Sequence, residues 1–139
     1  MIYPANFEQK IGFDRLREQV VELCSMRAAR DIIRAEKFST SRREIEFRQE
    51  IADEMRVLLM LDVDAPRDEF SDVDGILAKI SVEGAFLTAE ELVILRQALT
   101  AVGNMVGFIT SRGKGQYPRL SDRSERVCIF PDIIRRINQ

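Results

Sequence analysis

Apolar residues recur along this chain every three or four positions, the period of an α-helix and not of a strand. In "GFDRLREQVVEL", Phe13, Leu16, Val20 and Leu23 predict one inward helix face, with Arg15, Glu18 and Glu22 outside. "SMRAARDIIRAE" predicts a second helix with Ala29, Ile32 and Ile33 inward. Ser41, followed by Glu44, is a capping signal for a third, which buries some set of Phe47, Ile51, Met55, Leu58 and Leu59 and ends before Pro66. A short helix follows around "GILAKISVEG". The clearest pattern comes next: Leu92, Leu95, Leu99, Val102, Val106 and Ile109 form an a/d stripe that predicts the longest helix near 88–110. Gly103 and Gly107 interrupt it on one side, where the missing side chains predict a close approach by another helix. After Ile109 the texture turns to Gly, Ser and Arg, predicting a flexible basic loop over about 111–120. "VCIFPDIIRRINQ" then resumes a helical pattern with Pro131 suited to a first turn. The expected fold is all-α, a bundle of about six to eight helices in one domain over 1–139. The last amphipathic pattern still runs at Gln139, which reads as a fragment.

The stretch "KISVEGAFLTAEEL" joins the short helix to the long one, and its three carboxylates raise the question of acid–base chemistry. Adjacent helical positions diverge by about 100°, so Glu90 and Glu91 do not converge on one atom. A structural role fits each residue better. Thr88 caps, Glu91 closes a capping box, and Glu90 lies at the positive end of the helix dipole. Gly84 ends the preceding helix in the left-handed conformation, and Phe86 and Leu87 turn inward as a staple.

Charge changes this picture more by its distribution than by its sum. The net charge is -2, yet residues 27–48 hold seven basic against four acidic side chains, and 111–139 hold seven against three. Between them, 49–110 holds four against twelve. Opposite fields on different faces would follow, unless folding brings the blocks together and neutralises them. Arg42 and Arg43, with Arg112, Lys114 and Arg119, are the candidate phosphate contacts, and Tyr117 is a candidate to stack on a base.

Other chemistry is excluded by what the residues lack. There is no histidine, which removes Ser-His and Cys-His hydrolases. The acidic run from Asp62 to Asp74 fails as an EF-hand, because the required sixth-position Gly is Arg67 or Leu77. "SRGKGQ" lacks the first Gly and the Ser/Thr of a phosphate loop. No catalytic, cofactor or metal residue is therefore assigned. Cys24 and Cys128 read as buried hydrophobes of a reducing compartment. Charges within the first twenty residues argue against a signal or transit peptide, and no apolar run of membrane length is expected; the chain reads as cytoplasmic.

Four stretches, in order, carry a family likeness: "IGFDRLREQVVELC", "SMRAARDIIRAEKFSTSRREIEFRQEIADEMRVLL", "KISVEGAFLTAEELVILRQAL" and "YPRL…IFPDIIRRINQ". Together they resemble the N-terminal region of the second MutS subfamily, the MutS homologues without a mismatch-reading domain. The most specific pieces are Gly12 to Leu16, and Glu83-Gly84 followed by Leu87, Glu90, Glu91 and Leu92. Ala29 stands where the family often has glycine, and Phe38 where proline is common. The resemblance implies a helical core and lever segment of a homodimeric ATPase that binds branched DNA and restrains recombination, with some members acting on stalled ribosomes. ATP, magnesium and the nuclease domain would lie outside this chain, and its partners would be the remaining ATPase and clamp domains, DNA, and in some members ribosomal RNA. Two other readings stay open. One is a nucleic-acid-contacting module using 27–48 and 111–126. The other is a helical adaptor that dimerises through an exposed stripe.

Overall fold

The structure, a computed structural model, describes residues 6–139. Eight helices and no strand are found among them, so the fold is all-α. Their boundaries follow from local signals. α1 (Phe7–Ile11) stops at Gly12, whose φ of 73° is left-handed, and the same glycine begins α2 (Phe13–Glu22). α3 spans Arg27–Ala35. α4 (Arg42–Leu61) starts where the Ser41 hydroxyl accepts from Glu44 N at 3.4 Å. The capping box expected there is only half formed. The Glu44 carboxylate turns to the Ser39 hydroxyl at 2.6 Å instead, and Ser39 supplies the acceptor for Ser41 N. α5 is Asp74–Ile80, and α6, the longest, is Ala89–Arg112, about 36 Å at helical rise. α7 (Pro118–Ser124) and α8 (Pro131–Ile137) each begin on a proline, whose missing N–H costs nothing in a first turn.

Packing divides these elements into two groups. α2 packs on both α1 and α3, while α7 packs on both α4 and α6, and α8 packs on α6. The main core lies in the second group, where Leu58, Ala65, Ile109, Tyr117 and Leu120 are buried against Ile51, Met55 and Phe108.

Several inward faces are corrected by this arrangement. On α2 the buried residue is Val21, and Leu16, Val20 and Leu23 are exposed, Leu23 to 87%. The neighbours decide this. Arg17, on the flank of that stripe next to Phe13, is held by Glu8 at 2.6 and 2.8 Å and by the Glu36 carbonyl at 3.1 Å, and it stacks on Phe13. Phe38 closes that side against the Phe7 and Phe13 rings. On α3, Ile32 is exposed while Ala29 and Ile33 are half-buried. On α4, Leu58 is fully buried and Leu59 is exposed. Gly103 and Gly107 receive no close helix, since nothing lies within 4 Å of where a Cβ would stand. Cys128 is exposed and Cys24 half-buried, so neither is the buried hydrophobe expected.

The expectation that no stretch reaches membrane length is also corrected. α6 is long and apolar enough to cross a bilayer, with a mean hydropathy of 1.6 over its most apolar window. The core helices of soluble proteins share that length and composition, so the property assigns no location.

Candidate functional site

The basic segment after α6 is where phosphate contacts were expected, and the structure fills it with carboxylates. Arg112 Nη2 lies 2.9 Å from Asp62 and 3.5 Å from Asp64, with its guanidinium over the Phe108 ring. Lys114 Nζ lies 3.0 Å from Glu125 and 3.1 Å from Asp122, and those two hydrogen-bonded carboxylates raise its pKa. Arg119 pairs with Glu50 at 2.6 Å and covers the Phe47 ring, which Arg123 also approaches. Folding thus brings the acidic middle of the chain onto the basic end. Arg112, Lys114 and Arg119 each have a carboxylate within 4 Å, and the local field is mixed instead of positive.

Tyr117 is corrected outright. Its side chain is 2% exposed, with the hydroxyl donating to Asp62 at 3.4 Å, and a ring so placed cannot stack on a base. The segment is also more ordered than a loop of ten residues. α6 runs to Arg112, a turn follows, and α7 begins at Pro118. Of the α4 candidates, Arg42 pairs with Glu46 one turn on, at 2.6 Å. Arg43 lines an open groove of about 510 Å³ with Glu44, Glu46, Phe47, Glu50 and Arg119, so three carboxylates share that groove with two arginines.

At the entry to α6 the capping box is complete. Glu91 N donates to Thr88 Oγ1 at 3.2 Å, and Thr88 N donates to the Glu91 carboxylate at 2.8 Å. Lys79 on α5 also reaches Glu91, at 2.7 Å, so one carboxylate ties the two helices together. Gly84 has the expected positive φ, 78°, but it does not end α5. It lies in a separate turn closed by Ala85 N on the Val82 carbonyl. The staple is absent: Phe86 is 78% exposed beside Lys79, and Leu87 is half-buried. An aromatic ring next to an ammonium on the surface gains without entering a core.

The carboxylates with displaced pKa values all move the same way. The Lys79 hydrogen bond, then that of Thr88 N, holds Glu91 below the usual glutamate range. Arg17 does the same to Glu8, Arg48 to Glu36, and Ser39 with Arg48 to Glu44. Acids lowered on folding contribute stability that is complete above their unfolded pKa and is lost as pH falls through the folded one. The urea midpoint should therefore be level from neutrality to about pH 5 and decline below it. Glu91→Gln should flatten part of that decline, and a midpoint that rises on acidification would contradict the ion-pair assignments.

No group of three or more His, Cys, Asp or Glu side chains among the described residues is arranged to hold a metal. Among the other openings is a cleft of about 610 Å³ between the 68–71 loop, α6 and α8. Arg96 in it is hydrogen-bonded to Asn138 at 2.9 Å. Sequence reasoning missed two contributors on α4 and its end. Glu54 accepts from Arg119 N and Leu120 N, and Asp62 serves both Arg112 and Tyr117. The one available signal was the i, i+4 placement of Glu50 and Glu54 on a single helix face. No known protein family, curated protein or solved structure matches this chain.

Proposed function

We propose that this chain is a helical packing and coupling segment, a core and lever piece that transmits the state of an ATPase to a nucleic-acid clamp. The observation that carries this reading is the openness of the fold. Its accessible surface is 10579 Å², against roughly 7,400 Å² for a compact monomer of 16.0 kDa. Large apolar side chains contribute to it: Leu16, Leu23, Ile32, Leu61, Val63 and Phe86 all stand exposed on or beside helices. Such surface is covered in a working protein, and long helices with uncovered sides are suited to carrying motion between larger bodies. The resemblance to the second MutS subfamily supplies the larger protein: a homodimeric ATPase acting on branched DNA, or on stalled ribosomes, with nucleotide and magnesium bound elsewhere. The segment itself then holds its partner domains and makes few nucleic-acid contacts, because four of its five candidate cations, Arg42, Arg112, Lys114 and Arg119, are already paired with carboxylates.

Titrating residues 1–139 into a labelled four-way DNA junction at low salt separates this reading from a nucleic-acid-contacting module. No saturable binding is expected. Binding whose log affinity falls with log salt at a slope steeper than about -3 would mean several phosphates are engaged, and would overturn the coupling role. The family is tested separately by the downstream reading frame, where a Gly-x-x-x-x-Gly-Lys-Ser/Thr motif is expected within a few hundred residues. A downstream frame that ends without that motif would remove the MutS assignment.

A further inference from the structure

α7 packs on both long helices, α4 and α6, which also meet directly where Arg112 pairs with Asp62. The core that joins them is built around it, with Tyr117 and Leu120 set among Leu58, Ala65 and Ile109. Its N-terminus is closed from outside. Tyr117, in the cap position, offers no side-chain cap, and Glu54 of α4 supplies the acceptors, taking Arg119 N at 3.0 Å and Leu120 N at 2.9 Å. Glu50, one turn earlier, holds the Arg119 guanidinium. Lys114 is bound to Asp122 and Glu125 within the same segment, so those pairs would travel with α7 and do not anchor it.

α7 has seven residues, well under the roughly 12–15 at which an isolated helix is even marginal in water. It is helical because it is docked, so leaving the groove and melting are one event. The flanks permit that event. Gly113, with φ 71°, and Gly115 precede it, and residues 127–130 follow it without regular structure before Pro131. Both ends can swing while α6 and α8 stay intact.

We infer that α7 is a detachable clasp, a segment that folds as it docks and, when docked, fixes the angle between α4 and α6. This stands on the geometry of the chain and does not rest on the family or the function proposed above. Its consequence is that one carboxylate on α4, Glu54, governs how firmly the clasp is held, beside the Arg112–Asp62 pair that ties the ends of the same two helices.

Hydrogen exchange on the full chain tests this with Glu54→Ala and the milder Glu54→Gln, which keeps one acceptor oxygen. In Glu54→Ala the Ser121 and Glu125 amides should lose protection about tenfold, as on removal of a helix cap, with a smaller loss in Glu54→Gln. Leu99 and Val102, in the middle of α6, should keep theirs. Spin labels at Gln49→Cys and Gln97→Cys, with Cys24→Ser and Cys128→Ser, should give one narrow distance that broadens in Glu54→Ala. Equal loss of protection in α6 and α7 would show that α7 is a fixed part of the core and overturn the clasp, as would unchanged exchange in α7. Should Glu54→Ala fail to fold, Glu54→Gln decides the matter by the same comparison.

Discussion

Tyr117→Ala should cost about 3–5 kcal/mol of folding stability, the range for truncating a large buried ring. The residue is almost wholly enclosed and sits at the meeting point of α4, α6 and α7. Its removal opens a cavity that three helices cannot all close at once. Tyr117→Phe separates the ring from the hydroxyl. It loses the bond donated to Asp62, which still has Arg112 as partner, and the one accepted from Gln116 Nε2, and should cost about 1 kcal/mol. Urea unfolding followed by far-UV circular dichroism measures both. A Tyr117→Ala loss under about 1 kcal/mol would mean that the ring is not the keystone of the core, since buried aromatic truncations cost several times that.

Leu58→Ala should be nearly as damaging, at about 2–5 kcal/mol, because its side chain is fully buried in the same cluster. Its neighbour Leu59 makes the contrast. Leu59 is about half exposed on the same helix, and Leu59→Ala should stay within about 1 kcal/mol, helped by alanine's better helix propensity. Equal losses at the two positions would indicate that α4 faces its partners differently. The same unfolding measurement decides, provided the slope with urea is unchanged between variants.

The two positions also show where sequence reasoning is strong and where it stops. Leu58 and Leu59 satisfy the same helical pattern, and an amphipathic window allows either one to face inward. The choice is made by α7, which brings Tyr117 and Leu120 to one side of α4. α2 behaves likewise. Its Leu16-Val20-Leu23 stripe is the more hydrophobic, yet Glu8, Glu36 and Phe38 claim the face that carries Arg17. Local devices fare better. The Thr88–Glu91 box, the proline start at Pro131 and the positive φ of Gly84 depend on residues within a few positions of each other, so sequence distance is spatial distance, whereas Pro118 starts a helix inside the stretch read as a loop.

For the candidate site the division is sharper. Arg112, Lys114 and Arg119 are basic in any fold, but whether they present positive charge depends on what stands beside them. Asp62 and Asp64 come to Arg112 from about fifty positions earlier, and Glu50 comes to Arg119 from 69 positions earlier. Glu54 reaches the backbone of α7 across a similar separation.

The sequence by itself determined that this protein is helical, where its longest helix lies and how that helix begins, because period, caps and prolines act within a turn or two. Only the tertiary structure decided which apolar faces are covered, that Tyr117 is a core residue and not a stacking platform, and that Arg112 and Arg119 of the basic tail are paired with carboxylates of the acidic middle. Those outcomes depend on long-range contacts, and a long-range contact is set by the packing of whole elements, not by the residues next to it in the chain.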